Sequence, residues 1–499
     1  MQREEIDMST PLDPEGSTRQ TDARWRRERK PGLAATVAMC TAAATIAGGI
    51  VFEPVPARAA KADVFALVGG RVVTVSGNTI ESGVIILRDG VIEAIGAKVT
   101  VPVDARVIDA KGLTLTPGLI DAFGGLGLPA PRRAGSATAA GGVGDTNPTG
   151  VPATPAPPTS PLSPHAMALD KIRIAEALKA RDVGVTTALV VGRDGVLPGK
   201  SVLINLAGKK PEDMVLRQPA AQHLHLTTIS RQYPSSLMGT VAYARQSLYS
   251  AIRYRDEWAA YERAPAGKKR PRFDPALAAW QDVLSGKEML IVTATRENDI
   301  RRALALADEL KIRVAVAGAA RAFRVADLVK ARKLPLLVSV SFDPPRAVTS
   351  AAGRDEEKEK REIEEAEKNP AALDKAGVVF ALGSGFAPSF MAGIRKAIDA
   401  GLPRGAALRA LTLEAARALG VSDRTGSLEV GKLANVVAWA GDPLEKKSKV
   451  KMVFVDGQLY EPPDRPDRLD GDDKDDEEKP APTEDDVDVY DDADRGGRP

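Results

Sequence analysis

The chain has 499 residues, of which 43% are hydrophobic and 27% charged, so it can bury a large core and form one large domain plus a smaller one. The formal net charge is +2, but residues 464–499 carry a net charge of −10, which leaves +12 on residues 1–463. The basic residues are scattered without interleaved aromatic residues or a nucleic-acid motif, which argues against nucleic-acid binding. A single cysteine, Cys40, excludes disulfides and cysteine metal sites in the rest of the chain.

The N-terminal segment, residues 1–60, has the order of an export signal. Five basic residues within 24–30 precede an uncharged stretch at 33–52, and small residues follow, with cleavage predicted after Ala59 or Ala60. The alternative is an uncleaved membrane anchor, because about 20 residues can span a bilayer. We therefore expect an exported protein of the periplasm or cell envelope, which would contact a membrane only through such an anchor.

Short β-branched runs separated by turns follow at residues 61–116. The dipeptide Asp89-Gly90 is a strong signal for a β-hairpin in this module. Residues 129–164 are rich in Pro, Ala, Gly, Thr and Ser, a composition that predicts a long loop without a packed core.

Strand-like and helix-like segments alternate over residues 117–422. This alternation predicts an α/β fold with a parallel sheet and helical crossovers, and the leading architecture is a closed (β/α)8 TIM-like barrel. The charged run at 353–369 predicts a solvated helix, in which Glu364 and Lys368 have favourable i, i+4 spacing.

Two strand-rich runs at residues 423–462 mirror the module at the start of the chain. They predict one small β domain assembled from 61–116 and 423–462. Residues 463–499 lack apolar periodicity and are predicted to form a disordered acidic tail.

Three motifs resemble the amidohydrolase superfamily, and the central segments DIRRALALADEL and GKEMLIVTATREND resemble its imidazolonepropionase-like branch. The three motifs are GGRVVTVSGNTIESGVIILRDGVIEAIG, then LTPGLIDA within residues 113–122, and ALRALTLEAARALGVSDRTGSLEVGKLANVVAWAGDPLE near the C-terminus. The resemblance implies a (β/α)8 barrel with a composite β-sandwich. It also implies hydrolysis of carbon-nitrogen bonds with zinc or another divalent metal.

The metal ligands that this resemblance implies are missing. Phe123 and Gly125 stand where the His-x-His pair of the first barrel strand would be. Thr293 occupies the histidine position of the fifth strand, the sixth strand has no histidine, and Gly385 replaces the aspartate of the eighth strand. None of these side chains is a metal ligand of the usual kind.

His223 and His225 remain as alternative ligands. Their i, i+2 spacing on a strand would direct both side chains to one side. A catalytic metal site usually needs at least three protein ligands, so two ordinary polar residues are the favoured interpretation. The third histidine, His165, lies beside the Pro-rich loop, and no serine-triad motif is present.

The sequence thus predicts an exported, non-catalytic and metal-free protein that acts as a binding or scaffold component. The alternative is an active hydrolase of carbon-nitrogen bonds with a nonstandard site, and a third reading is a partner-binding module governed by the acidic tail. No cofactor is expected unless the family chemistry survives with zinc or another divalent metal. The partner would be a small molecule or an envelope protein, with a homo-oligomer left open. Because Phe123 would place an apolar ring in the pocket, we expect a neutral, partly apolar ligand.

Overall fold

The computed structural model describes residues 64–129, 162–229, 233–342, 356–387 and 389–463. The predicted export signal, nearly all of the predicted loop at 129–164 and the acidic tail beyond Pro463 lie outside these residues. Within the described ranges, no helix combines the length and the apolar character that a membrane span requires.

Eighteen strands are numbered in chain order over the described residues. They are β1 Phe65–Val72, β2 Ile80–Arg88, β3 Val91–Gly96, β4 Arg106–Asp109, β5 Leu113–Pro117, β6 Leu119–Gly124, β7 Val185–Val190, β8 Gly199–Lys200, β9 Val202–Asn205, β10 Val215–Arg217, β11 Gln222–His225, β12 Leu290–Ala294, β13 Val314–Gly318, β14 Leu336–Ser339, β15 Ala381–Gly383, β16 Val436–Ala440, β17 Lys449–Val455 and β18 Gln458–Tyr460.

Ten α-helices lie between them in the same ranges. They are α1 Ile174–Leu178, α2 Leu237–Arg263, α3 Pro275–Ala278, α4 Gln281–Leu284, α5 Glu297–Leu310, α6 Ala326–Ala331, α7 Glu356–Lys375, α8 Phe390–Asp399, α9 Arg404–Ala410 and α10 Leu413–Ala418.

Strands from both ends of the described chain form one sheet. Its order is β18-β17-β16-β5-β1-β2-β3, with β4 beside β1, and β5 and β16 join the two ends in antiparallel register. The predicted hairpin at Asp89-Gly90 is confirmed, since both residues have positive φ, 51° and 80°, and connect β2 to β3. Burial of Leu67, Leu115 and Phe454 forms the apolar core of this sheet.

The central strands follow the predicted alternation with helices in most places. Strands β11 to β15 pair in parallel one after the other, and β6 pairs in parallel with β7. Residues 199–205 depart from it, because β9 runs antiparallel to β7 and β8 antiparallel to β11. Eleven residues separate β7 from β9, fewer than the dozen or more that a parallel crossover needs.

Alternate residues of the central strands face different surroundings. On β12, Leu290 and Val292 belong to an apolar cluster that includes Ile300 of α5, whereas Ile291 belongs to a second cluster with Phe123. This period of two places Thr293 on the same side of β12 as Ile291. The polar residues of the site below lie on this second side.

A buried polar network connects the end sheet to the central strands. Asn435 donates from Nδ2 to Asn205 Oδ1 at 2.9 Å, and its Oδ1 accepts from the backbone N–H of Asp456 at 3.0 Å. Thr187 Oγ1 donates to Asn205 Oδ1 at 2.7 Å. Because buried amides are costly to leave unpaired, this network holds β7 and β9 against the C-terminal strands.

The charged run at 353–369 contributes to α7, as predicted. Glu364 and Lys368 approach to 3.6 Å on its surface, and Arg321 from outside the helix pairs with Glu362 at 2.9 Å. Exposed pairs of this kind contribute roughly 0.2–1 kcal/mol each, so a solvated surface accounts for the charges.

Candidate functional site

Phe123 fills the first position at which the resemblance implies a metal ligand. The ring lies at the end of β6, is 2% exposed, and packs edge-on against Phe386 with 5.2 Å between ring centroids. Phe386 adopts φ +72°, a conformation that bulky residues rarely take and that tends to occur at functional sites. Phe123 is therefore a covered core residue.

Gly125 lies close to two side chains, which a histidine at this position would have to displace. A β-carbon on Gly125 would lie 2.6 Å from Nε of Arg193 and 2.8 Å from a ring carbon of Phe386. The Arg193 guanidinium itself lies 5.1 Å from the centre of the Phe386 ring, in cation–π contact. Arg193 and Phe386 together occupy the space into which the second histidine would project.

Gly385 stands where the resemblance implies an aspartate, and a side chain there would also meet a neighbour. It has φ +59°, and a β-carbon there would overlap Oγ of Ser339 at the end of β14. Ser339 Oγ accepts a hydrogen bond from the N–H of Ser341 at 3.1 Å. A carboxylate at position 385 would therefore require both a strained backbone and the displacement of Ser339.

One carboxylate does lie at the centre of this region. Asp121 of β6 is 4% exposed, and its Oδ1 accepts from the N–H of Ser384 at 2.8 Å and of Phe123 at 3.2 Å. Burial raises the pKa of Asp121, although hydrogen bonds from Ser384 and Phe123 oppose the rise. The carboxylate thus ties β6 to the segment after β15.

His223 and His225 lie on β11, both buried and, by the period of two, on one side of the strand. Both ring nitrogens of His223 and Nε2 of His225 have no hydrogen-bond partner among the described residues, and Oγ1 of Thr293 has none either. His225 and Thr293 are register partners on neighbouring parallel strands. The structure thus brings Thr293 next to His225, a pairing that the sequence did not predict.

Burial sets the protonation of both histidines. It lowers the pKa of His225 to about 4, against a smaller opposing effect of the Gly195 backbone. It also holds the pKa of His223 well below its usual value, and the neighbouring His225 adds to this. Both rings are neutral at pH 7. The third histidine, His165, is exposed.

These residues do not assemble a metal site of the implied kind. In the part of the chain that the structure describes, no three His, Cys, Asp or Glu side chains are grouped so that they could hold a metal ion. The implied ligand positions are filled by Phe123, Arg193, Phe386 and Ser339. The donor set therefore does not fit the divalent metal that the resemblance implies.

A cavity of about 1710 Å³ lies next to these packed side chains. Arg193, Ser384 and Phe386 line its inner wall, and Trp439 lies on another part of the wall. Phe123 is not among the residues of this wall, whereas Phe386, against which its ring packs, is one of them. The expectation of a neutral, partly apolar ligand therefore loses its premise that the Phe123 ring faces the pocket. The other charged residues of the wall are Arg173, Lys179, Arg395, Lys446, Lys447, Lys449 and Lys451, with Asp121, Glu176, Asp182 and Glu461.

Sequence reasoning missed Arg193 and Ser339. Arg193 follows β7 directly, and a charged residue at the C-terminal end of a central strand is a recognised signal for a site in barrel-type folds. Ser339 had no such signal, because its role depends on its closeness to Gly385, which is distant in sequence.

Comparison with known proteins finds similarity to amidohydrolases, in one part of the sequence and in the fold. The Amidohydrolase family model matches residues 348–460. An amidohydrolase structure from Thermotoga maritima MSB8 is similar at a TM-score of 0.66 and 24% identity, covering 80% of this chain and 100% of that one. A Xaa-Pro dipeptidase with bound methionine in its active site has a TM-score of 0.50 and 16% identity, covering 80% and 100%. No curated protein matches the chain.

Proposed function

We propose, with the confirmed resemblance to the amidohydrolase superfamily as the premise, that this protein has lost the metal-dependent reaction of its fold and is a binding or scaffold component. Its ligand would occupy the cavity beside Arg193. Fold similarity alone does not establish activity, since one fold serves many functions. The proposal therefore depends on the site.

The observation that carries the proposal is the filling of the ligand positions. A β-carbon at Gly125 meets Arg193 and Phe386, and one at Gly385 meets Ser339. A metal site lacking one ligand could be completed by water or a neighbouring side chain, but two ligand positions occupied by packed side chains could not.

Metal analysis of the purified full chain tests this proposal. We expect far less than one equivalent of zinc, manganese or iron after purification without chelator, and the same result after incubation with each metal followed by desalting. One bound equivalent, lost in a His223→Ala variant and kept in a His165→Ala variant, would overturn it.

An active hydrolase with a nonstandard site is the second candidate. The orphaned nitrogens of His223 and His225 beside Thr293 favour it, because buried polar atoms without partners often mark a functional role or a bound water or ion. The similar dipeptidase suggests Xaa-Pro dipeptides as the first substrates to assay. Hydrolysis that is abolished in His225→Ala and unaffected in His165→Ala would favour this candidate over the first.

A closed barrel is the arrangement that we infer for the central strands. The strand pairing supports it: β6, β7 and β9 are neighbours, β8 pairs with β11, and β11 to β15 follow one another. The N–H of Gly385, just after β15, also donates to the carbonyl of Phe123 on β6 at 2.8 Å, which links the last of these strands to the first. The composite β-sandwich, assembled from the strands of both ends, is inferred likewise.

Export to the periplasm or cell envelope remains part of the proposal, supported by the order of basic, uncharged and small residues in 1–60. A small molecule or an envelope protein would be the partner, and nucleic acid would not. Fractionation of cells that express the full chain tests export, with removal of residues 1–60 detected by mass spectrometry as the expected result.

A further inference from the structure

The described chain ends at the cavity. Glu461, Pro462 and Pro463 line its wall, and the next residue, Asp464, opens a 36-residue segment with a net charge of −10. The acidic segment therefore starts at the cavity itself, so only a short length of chain is needed to enter it.

The wall of the cavity has the opposite charge. Eight Lys and Arg residues line it against four Asp and Glu residues, and one of the acids, Glu176, already pairs with Lys179 at 2.9 Å. Lys447 and Lys451 are exposed on this wall. The excess positive charge favours an anionic occupant.

Arg193 is a cation of the wall with a hydrogen-bonding group left free within the described ranges. Its Nε is buried and has no hydrogen-bond partner among the described residues, while the guanidinium stacks on Phe386. Burial also lowers its pKa, so an anion beside it would relieve an unfavourable environment. A planar guanidinium binds a carboxylate through two parallel hydrogen bonds.

Residues 464–499 provide enough length of chain to enter the cavity. The run 470–478 holds seven acidic residues and one lysine, and it begins seven residues beyond Pro463. Seven extended residues span about 24 Å. The cavity also exceeds the roughly 300–1,000 Å³ of a typical small-ligand pocket, as an extended segment would require.

A second segment outside the described residues also starts at the cavity, after Pro129. Residues 130–161 contain Arg132, Arg133 and Asp145 as their only charged residues, a net charge of +1. Charge complementarity with the cavity wall therefore favours residues 464–499 over residues 130–161 as the occupant.

We propose that residues 464–499 dock into the cavity of their own chain, with a carboxylate of the run 470–478 bound to Arg193. The segment acts as an internal competitor, which an external anionic ligand must displace. This inference holds whether or not the cavity serves an external ligand, so its failure and that of the proposed function are separate results.

Zero-length crosslinking of the full chain tests the contact. A carbodiimide joins carboxylates to lysines only where they touch, so mass spectrometry of the peptides reports the docking site. We expect links from 470–478 to Lys447 or Lys451, within one chain in an equal mixture of ¹⁵N-labelled and unlabelled protein, and their loss in 0.5 M salt, where screening is strong. Links confined to Lys268 and Lys269, exposed lysines outside the cavity wall, or links only between chains would overturn the proposal.

A binding experiment tests Arg193. In a full-length variant with the seven acids of 470–478 changed to Asn or Gln, a labelled peptide of residues 464–499 should bind at least about tenfold more tightly than to the unmodified chain, whose cavity is already occupied. Adding Arg193→Gln should weaken that binding at least about tenfold, a loss of about 1.4 kcal/mol. Lys269→Gln is the matched control and should leave it unchanged. Equal binding to the neutralised and unmodified chains, or no effect of Arg193→Gln, would refute the docking.

Discussion

At the scale of single residues, packed side chains surround the positions where the resemblance implies metal ligands. Gly385 is both in the left-handed region and in contact with Ser339, and Gly125 lies against Arg193. A glycine at such a position is required by its neighbours as well as by its own backbone. Each site residue is therefore fixed by a side chain that is far from it in sequence.

Restoring the aspartate tests this argument. We expect Gly385→Asp to lower the free energy of unfolding by at least about 2 kcal/mol, because overpacking costs about 1–3 kcal/mol and the positive φ adds to it. Gly112→Asp is the matched control, since Gly112 has φ +76° with no atom near its missing β-carbon and should lose only the backbone part. Urea denaturation measures both, and equal losses would contradict the role of Ser339.

The two buried histidines predict a dependence of stability on pH. Both pKa values are lower in the folded than in the unfolded chain, so the unfolded chain alone takes up protons as the pH falls below about 6.5. The His225 contribution is full above that pH and is lost on acidification towards pH 4, at up to about 1.4 kcal/mol per pH unit.

Denaturation midpoints at pH 7, 6 and 5 provide the measurement. His225→Gln should flatten the decline in stability between pH 7 and 5, whereas His165→Gln, at an exposed position, should retain it. A decline as steep in His225→Gln as in the unmodified chain would show that His225 does not resist protonation.

The sequence alone could predict which ligands are missing, because the surrounding motif PGLID locates Phe123 and Gly125. It could not predict what fills the space. Arg193, Phe386 and Ser339 reach the site through strand pairing between distant segments, and local patterns carry no information about that contact. The expectation of a neutral, partly apolar ligand rests on Phe123 as part of the pocket wall, whereas Phe386 and Arg193 line that wall.

At the scale of elements, local signals predicted the local structures. The Asp89-Gly90 turn requires positive φ at both residues, and the charges of α7 favour a solvated helix, so both could be inferred without tertiary contacts. The antiparallel strands at 199–205 were missed although the signal existed, because the eleven residues between β7 and β9 are too few for a parallel crossover.

The network around Asn435 predicts how the elements are held together. Asn435→Leu should lower the free energy of unfolding by about 1–3 kcal/mol, because it leaves the backbone N–H of Asp456 without its partner. It also removes one of the two donors to Asn205 Oδ1, which keeps Thr187. Asn78→Leu, at an exposed position in the same sheet region, should cost less than about 0.5 kcal/mol. Thermal or urea denaturation distinguishes the two, and a small loss for Asn435→Leu would mean that the network contributes little.

At the scale of the whole molecule, the first and last described strands share one sheet through β5 and β16. The composite pairing was predicted from two strand-rich runs of similar pattern. The register of this pairing was not predicted, because it depends on which side chains of the two ends meet. One such contact is the hydrogen bond that Trp439 Nε1 donates to Thr116 Oγ1 at 2.9 Å.

The described residues contain no group of three or more His, Cys, Asp or Glu side chains that could hold a metal ion, and this predicts how the fold responds to chelation. A metal present at 1,000 times its Kd stabilises a protein by about 4 kcal/mol, and its removal would lower the Tm by several degrees. We expect EDTA to leave the Tm of the purified full chain unchanged within about 1 °C. A clear drop that zinc reverses would contradict a fold that needs no metal.

The packing of Gly385 against Ser339 also bears on how the chain could vary. A replacement of Gly385 by aspartate would meet Ser339, and a replacement of Gly125 by histidine would meet Arg193 and Phe386. The short Ser339 side chain stays close to its backbone, whereas the end of the Arg193 side chain can move aside. Variation that adds a side chain is therefore more restricted at position 385 than at position 125.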